Sequence, residues 1–236
     1  MLFEWSKEKI ELYERASKET GFHKKLAEIV IPFLNAEDEM TDIGCGPGLI
    51  DFELSPYVKT INAIDINEII IDYLTSKINN SSPCNISASI GDAEKMDGNI
   101  GDVALFCYYT SLNEHMYRII DSARRLAIII MHGKDAANKP SKIGIVRKTY
   151  TSEMEENLVK HGYNYIKKNV RVDFSQPIKT KEEALYFLEM YCSEKDSEKR
   201  KNIIDEGLKT LRKSDSSDYP YSLYKIKDVT VFIIKK

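Results

Sequence analysis

The sequence predicts an α/β fold, an open and mostly parallel sheet of seven strands with helices on both faces. Three observations support this. Short apolar strands alternate with amphipathic helices between residues 40 and 131. A glycine-rich turn at residues 44–48 joins a strand to a helix. Residues 126–131 are uninterruptedly apolar, as in a strand that is buried on both faces of a sheet.

Length and composition indicate a single domain, 1–236, large enough to bury a core without disulfides. Apolar residues make up 42% and charged residues 30%, the usual balance of a globular protein. The net charge of -3 gives no electrostatic support for a nucleic-acid partner, so none is expected.

The cysteines and apolar runs argue against metal sites, secretion and membrane insertion. Cys45, Cys84, Cys107 and Cys192 form no C-x-x-C pair, so no metal site or disulfide framework is expected. The first residues lack the basic-then-apolar pattern of a secretory signal. The longest apolar run, 126–131, is too short to span a bilayer. We therefore expect a cytoplasmic protein that makes no membrane contact.

The elements follow in order from the N-terminus. Residues 1–36 predict two amphipathic helices separated by Gly21. These helices either pack on the core or close over a ligand with Trp5 or Tyr13 inward. The central strands are predicted at 40–43, 60–66, 85–90, 102–107 and 126–131, with helices at 49–54, 67–79 and 114–125.

The last third predicts a helix at 152–161, a strand at 163–174, helices at 182–191 and 197–212, and a final strand at 229–234. The segment 175–218 is then a helical insertion before the last strand, and a candidate lid. An apolar stripe on its first helix either lines the underside of that lid or only docks the helix; it consists of Tyr186, Phe187, Met190 and Tyr191.

The most informative segment is 41–48, Thr-Asp-Ile-Gly-Cys-Gly-Pro-Gly. Three glycines at alternate positions let a backbone turn sharply and approach a ligand closely. Ligands of open α/β sheets bind at the carboxyl ends of strands, where this loop is predicted. The third glycine of the dinucleotide pattern G-x-G-x-x-G is absent, since position 49 is Leu. A plain strand-to-helix turn is the alternative.

With Asp42 in front, this segment reads D-x-G-x-G-x-G and resembles the first motif of the class I S-adenosylmethionine-dependent methyltransferases. The resemblance covers roughly residues 40–131 and is to the small-molecule type. It implies the Rossmann-like methyltransferase fold. It also implies S-adenosyl-L-methionine as the cofactor and S-adenosyl-L-homocysteine (SAH) as the product.

The resemblance also assigns cofactor contacts along successive strand ends. Asp65 would accept hydrogen bonds from the ribose hydroxyls, Asp92 from the adenine amino group, and the backbone of Ala93 would face the ring. Cys107 would face the methionine part. The implied cofactor set is Asp42, Gly44, Cys45, Gly46, Gly48, Asp65, Ile66, Asp92, Ala93 and Cys107. Asp65 also suits a helix start and Asp92 a simple turn, so these alternatives stay open.

The methyl acceptor is expected beyond the fourth and fifth strands. His132 and Tyr109 are the candidate catalytic residues there, and Tyr108 and His115 are further candidates to line the pocket. Packing tyrosines and surface histidines are the alternatives. An Asn-Pro-Pro-Tyr motif, typical of enzymes that methylate nitrogens of nucleic acids and proteins, is absent here.

These observations predict methyl transfer to a small-molecule acceptor by in-line displacement. One alternative is an RNA or protein methyltransferase of the same fold, which a basic stripe from Lys139, Lys142, Arg147 and Lys148 would favour. The others are a nicotinamide-dependent oxidoreductase and a non-catalytic cofactor-binding protein.

Overall fold

The computed structural model describes residues 4–81, 85–96, 98, 100–109, 113–133 and 151–236. Its centre is a seven-stranded sheet with the spatial order β3-β2-β1-β4-β5-β10-β6. The strands are β1 (Glu39–Ile43), β2 (Thr60–Asp65), β3 (Ile86–Ile90), β4 (Val103–Cys107), β5 (Leu126–His132), β6 (Tyr165–Asp173), β7 (Gln176–Ile178), β8 (Leu211–Lys213), β9 (Tyr221–Leu223) and β10 (Ile226–Lys235).

The strand directions confirm the predicted mostly parallel sheet. Strands β1 to β5 are parallel to one another. Strand β10 is antiparallel to both β5 and β6, so it alone runs against the other six. The strand order reverses beside β1, which lies between β2 and β4. Ligands of open α/β sheets bind at such a reversal, outside the carboxyl ends of the strands.

Eight α-helices lie in the described ranges: α1 (Lys7–Thr20), α2 (Phe22–Val30), α3 (Leu49–Leu54), α4 (Glu68–Asn79), α5 (Glu114–Ser122), α6 (Thr151–Lys160), α7 (Lys181–Tyr191) and α8 (Ser197–Leu208). Local sequence fixes several of their ends. The Ser6 hydroxyl accepts a hydrogen bond from the Lys9 amide at 3.2 Å and caps α1. Asn67 caps α4 in the same way, as the sequence predicts. Gly21, with a φ of 65°, separates α1 from α2.

The core lies on both faces of the sheet, as the alternating elements predict. One face is covered by α2, α3 and α4, whose buried side chains include Phe22, Leu26, Ile50, Leu54, Ile71 and Leu74. The other face is covered by α5 and α6, with Met116, Ile119, Ile120, Met154 and Leu158. Strand β5 is buried on both sides except at its last residue, His132. Its uninterrupted apolar sequence reflects this position.

The segment between β6 and β10 contains more than the expected helices. Strands β7, β9 and β8 form a small antiparallel sheet there, which the sequence analysis did not predict. The helix predicted at 197–212 ends at Leu208, and β8 follows. The amide of Thr210 donates to the carbonyl of Gly207 at 3.0 Å, which turns the chain into β8. The sequence does not indicate these strands, because a three-residue strand has no measurable periodicity.

The small sheet packs against the N-terminal helix. Arg15 of α1 forms an ion pair with Glu183 at 2.6 Å and donates to the carbonyl of Pro177 in β7 at 3.4 Å. No helix in the described ranges has the combination of length and apolarity that crossing a bilayer requires.

Candidate active site

The glycine loop between β1 and α3 has the backbone that its sequence predicts. Gly44, Gly46 and Gly48 have φ values of 70°, 54° and 66°, in the left-handed region that favours glycine. A Cβ atom on Gly48 would lie 2.6 Å from Cδ1 of Leu74, so a side chain there would clash. The amides of Gly44 and Cys45 donate to the carbonyl of Ile64 at 2.7 and 3.0 Å. The loop is therefore held against the end of β2.

Asp65, the last residue of β2, is tied to this loop. Its Oδ2 accepts a hydrogen bond from the amide of Gly46 at 3.0 Å, and its Oδ1 accepts one from Asn67 at 2.9 Å. Each carboxylate oxygen has further acceptor capacity beyond one such bond. Ile66 follows with 49% of its surface exposed, an apolar side chain beside the carboxylate. Asp65 is thus more than a helix-start residue, because it joins two elements of the site.

Asp92 follows β3 and caps a single helical turn. Its Oδ1 accepts from the amide of Glu94 at 3.0 Å, and its Oδ2 pairs with Lys95 at 3.1 Å. The Lys95 hydrogen bond and the Glu94 amide hold the pKa of Asp92 below its usual value. Ala93 packs partly buried against the core beneath it. The turn alone accounts for these contacts of Asp92, and a ligand contact stays a prediction.

A pair of buried carboxyl groups, Asp42 and Asp51, lies beneath the loop. Both residues are fully buried, and none of their four oxygens accepts a hydrogen bond from the described chain. Burial, and then the charge of Asp51, raise the pKa of Asp42 well above its usual value. Burial raises the pKa of Asp51 to about 7. Because the two groups interact, at least one of them keeps a proton at moderately acidic pH.

The sequence analysis missed Asp51. Its signal is a carboxylate in a short apolar segment, Leu49-Ile50-Asp51-Phe52, at the start of a helix. Leu49 and Ile50 are buried as the apolar pattern predicts, and Asp51 is buried with them. A buried carboxyl group with no pairing cation among the described residues is unusual, and such groups are concentrated at functional sites.

Tyr108 and Tyr109, which follow β4, lie on different sides of the site. Tyr108 has a φ of 57°, rare for a residue other than glycine, and its amide donates to Ile130 at 2.8 Å. The Tyr109 ring lies against the glycine loop, because a Cβ atom on Gly44 would be 2.9 Å from its Cδ2 atom. Tyr109 therefore contacts the predicted cofactor loop, while Tyr108 turns the other way.

The two candidate histidines are also separated. His132, the last residue of β5, has its ring 4.8 Å from the Tyr108 ring, centroid to centroid. His115 lies in the first turn of α5, where Arg118 contacts its Nδ1. The charge of His115 acts on Asp92, which places it on the Asp92 side of the site. The structure brings His132 together with Tyr108 and leaves His115 with Asp92. Cys107, the last residue of β4, is partly buried, and burial raises its pKa.

The N-terminal segment shows core packing in α2, one of the two arrangements expected, while Trp5, with Tyr13 packed on it, lies beside the glycine loop. A Cβ atom on Gly46 would lie 3.7 Å from the Trp5 ring, and Trp5 packs edge-on against Tyr13 with ring centroids 5.6 Å apart. The Tyr13 hydroxyl and the Ser17 hydroxyl contact the two ring nitrogens of His23 at 3.2 and 2.5 Å. Burial lowers the pKa of His23 to about 3, so it stays neutral near pH 7.

A cluster that the sequence analysis missed surrounds Lys227, near the start of β10. Its Nζ lies 3.8, 4.8, 4.9 and 5.9 Å from four aromatic ring centroids, those of Phe174, Phe22, Tyr108 and Tyr13. We call these four rings the aromatic chamber. Tyr13 and Phe22 belong to α1 and α2, Tyr108 directly follows β4, and Phe174 directly follows β6. No sequence motif joins them, because the chamber assembles only in the fold.

The apolar stripe of α7 divides between the two roles considered for it. Phe187 packs against a small cluster under the second sheet, which includes Ala184 and Leu188. The Tyr186 hydroxyl donates to Glu8 at 2.9 Å on the surface. Ionisation of Tyr191 would raise the pKa of Tyr13, which places Tyr191 near Tyr13 of the chamber. Phe187 thus docks α7, and the lid role of 175–218 stays a prediction. Lys139, Lys142, Arg147 and Lys148 lie outside the described residues.

The fold is similar to that of solved methyltransferases. Phosphoethanolamine N-methyltransferase 2 of Haemonchus contortus, in complex with S-adenosyl-L-methionine, is 15% identical with a TM-score of 0.61. That match covers 98% of this chain and 57% of that one. The magnesium protoporphyrin IX methyltransferase of Synechocystis PCC 6803, with bound SAH, is 11% identical with a TM-score of 0.52. That match covers 89% and 83% of the two chains.

A solved structure with a different activity in its name has the same fold. Precorrin 8w decarboxylase of Methanobacterium thermoautotrophicum is 15% identical with a TM-score of 0.53, over 89% of both chains. At these identities the likeness shows the Rossmann-like methyltransferase fold alone, and that prediction is confirmed. No protein-family model matches the chain, and no curated protein matches it.

Proposed function

We propose that this protein is an S-adenosylmethionine-dependent methyltransferase that acts on a small-molecule acceptor by in-line displacement. One observation carries the proposal: the glycine loop and the carboxylate at the end of β2 are hydrogen-bonded to each other, from Gly46 to Asp65. Glycine backbone that a ligand can approach closely therefore lies next to a carboxylate that is already oriented, at the carboxyl edge of the sheet. A nucleoside ligand uses this pair of features.

The residues present fit this cofactor. Asp65 would bind the ribose hydroxyls with the acceptor capacity that its two amide bonds leave. Gly44 and Gly46 would allow the close backbone approach, with Tyr109 and Trp5 bordering them. The Asp42 and Asp51 carboxyls are buried beneath the loop without donors in the described chain, and ionisation of one member of the pair favours positive charge beside the loop. When bound, the cofactor supplies a methyl group that is already activated by a sulfonium sulfur.

The chain's own contribution is then alignment and exclusion of water. Holding two reactants in line supplies most of the rate enhancement available to such a reaction. Trp5 and Tyr13 lie on one side of the site. Arg15 of the same helix as Tyr13 is ion-paired with Glu183 of α7 and donates to Pro177 of β7, so α1 is attached to the second sheet. A covered site and a net charge of -3 favour a small acceptor over a nucleic acid.

Isothermal titration with SAH tests the proposal. Wild-type protein is expected to bind saturably, and Asp65→Ala to bind about 10- to 100-fold more weakly, because two hydrogen bonds to a carboxylate are lost. Asp72→Ala, in the exposed surface of α4, is the matched control and is expected to bind like wild type. Failure of the wild-type protein to bind SAH would overturn the proposal.

The same titrations separate the alternatives. A nicotinamide-dependent oxidoreductase would bind NADH, measured by its fluorescence, in place of SAH. An RNA methyltransferase would shift a structured RNA in a gel at low salt. A non-catalytic cofactor-binding protein would bind SAH and show no methyl transfer to any acceptor in a screen with radiolabelled S-adenosylmethionine.

A further inference from the structure

Lys227 is placed where the acceptor is expected. It lies near the start of β10, which pairs with the end of β5 through Val229 and His132. Its amino group forms no hydrogen bond and no ion pair within the part of the chain that the structure describes, and four aromatic rings face it. The Tyr108 hydroxyl beside it is buried and has no hydrogen-bond partner among the described residues.

The surroundings of Lys227 favour its neutral form. Burial, and then the positive charge of Lys225, lower the pKa of Lys227 well below its usual value. Cations can be held by aromatic faces, but four rings do not replace the water that an ammonium loses. The titratable groups around it are Tyr13 of α1, His23 of α2, Cys107 at the end of β4, Tyr108 directly after it, and Lys225; His132 of β5 contacts Tyr108.

We propose that Lys227 is the general base for the methyl acceptor, and that the acceptor is a planar ring with a phenol-type hydroxyl. The proposal rests on the methyltransferase function above. The four rings of the aromatic chamber offer a planar ligand stacking and edge contacts. A neutral amine among them accepts a proton from a weakly acidic hydroxyl.

The proposed reaction is a proton transfer followed by a methyl transfer. The acceptor hydroxyl gives its proton to the Lys227 amine, which becomes an ammonium. The acceptor oxygen then forms a bond to the methyl carbon, and the carbon–sulfur bond breaks with its electron pair going to sulfur. The products are a methyl ether and SAH, and the ammonium returns its proton to solvent.

Neighbouring groups suit this role less well. The ring nitrogens of His23 contact Tyr13 and Ser17, and a pKa of about 3 makes His23 a weak base. Burial raises the pKa of both Tyr13 and Tyr108, so their hydroxyls keep their protons near pH 7. Burial similarly keeps Cys107 a thiol.

The test uses 4-nitrophenol, whose absorbance distinguishes phenol from phenolate, added to the protein saturated with SAH. Wild type is expected to bind the probe and to raise its phenolate fraction at a pH where free probe is mostly phenol. Lys227→Met should lose this spectral shift and bind the probe at least tenfold more weakly, with SAH affinity within about threefold of wild type. Lys235→Met, exposed at the far end of β10, should behave like wild type.

A second measurement needs neither the variant nor the cofactor. The rate of acetic anhydride labelling at Lys227, followed by mass spectrometry against pH, should reach half its maximum well below the pH at which Lys235 does.

A persistent phenolate shift in Lys227→Met, no probe binding by the wild-type complex, or ordinary titration of Lys227 would each overturn the assignment of Lys227. No SAH binding by wild type, with a lowered Lys227 titration, would instead overturn the methyltransferase function.

Discussion

The two halves of the site are built in opposite ways. The cofactor edge, comprising the loop 44–48, Asp65 and Asp92, is made of backbone turns and of side chains that bond nearby amides. The aromatic chamber is made of side chains from α1, α2, β4 and the end of β6 around Lys227. Local hydrogen bonds satisfy Asp65 and Asp92, whereas Lys227 and the Tyr108 hydroxyl have no such partner in the described chain.

This difference has a physical consequence. A carboxylate that accepts backbone hydrogen bonds is oriented before any ligand arrives, so little reorganisation accompanies binding. A buried hydroxyl without a hydrogen-bond partner costs stability until a ligand supplies one, and an amine surrounded by aromatic rings likewise lacks the hydrogen bonds that water would give it. We therefore expect changes at the cofactor edge to reduce stability and SAH affinity together, and changes in the chamber to leave SAH affinity unaltered.

The largest effect is expected at Gly48. Gly48→Ala places a Cβ atom 2.6 Å from Cδ1 of the fully buried Leu74 and requires a non-glycine residue at a φ of 66°. The free energy of unfolding should fall by about 2–4 kcal/mol, measured by urea denaturation. Gly162→Ala is the control, since Gly162 has a φ of 74° with nothing near its Cβ position. It should lose only about 1 kcal/mol, and equal losses would contradict the clash.

An intermediate effect with a pH signature is expected at Asp51. Its pKa of about 7 in the folded protein exceeds the unfolded value, so folding favours its protonated form. The cost of ionising it therefore grows as pH rises from about 4 to about 7 and is complete above pH 7.

Asp51→Asn removes that cost and lets an amide donate to Asp42. The variant should be more stable than wild type by about 1–3 kcal/mol at pH 8 and closer to it at pH 5, again by urea denaturation. Asp72→Asn, on the exposed surface of α4, should change stability little at either pH. If Asp51→Asn were less stable than wild type at pH 8, the ionised Asp42–Asp51 pair would have to be stabilised by another group.

The smallest effect is expected at Tyr108. Tyr108→Phe removes a buried hydroxyl that has no partner in the described ranges, which should raise the free energy of unfolding by about 1 kcal/mol. Tyr117→Phe is a matched control on the opposite face of the sheet, because its hydroxyl is also buried and also lacks a partner among the described residues. SAH affinity should stay within about twofold for both variants. A marked loss of SAH affinity in Tyr108→Phe would show that the aromatic chamber contributes to cofactor binding, contrary to the expectation above.

The sequence predicted the fold and the cofactor edge because both depend on local patterns. The alternation of strands and helices, the apolar strand β5 and the caps at Asn67 and Gly21 follow from periodicity and turn chemistry. The glycine loop is contiguous in the chain, and Asp65 is recognised by its place at a strand end.

The rest depended on contacts between distant segments. Lys227 meets Phe22 and Tyr108 only because β10 inserts between β5 and β6. The second sheet escaped prediction because its strands have three residues each. The burial of Asp51 is not visible in the sequence, because periodicity does not distinguish a buried carboxyl group from an exposed one in a six-residue helix.

Hydrogen–deuterium exchange with and without SAH reports both whether the cofactor binds and where it binds. If SAH binds at the cofactor edge, exchange slows at residues 42–48, 64–68 and 91–95 and does not change in the second sheet at 211–223. Slower exchange confined to segments away from the carboxyl edge of β1 to β3, or no change anywhere under saturating SAH, would contradict binding at this edge.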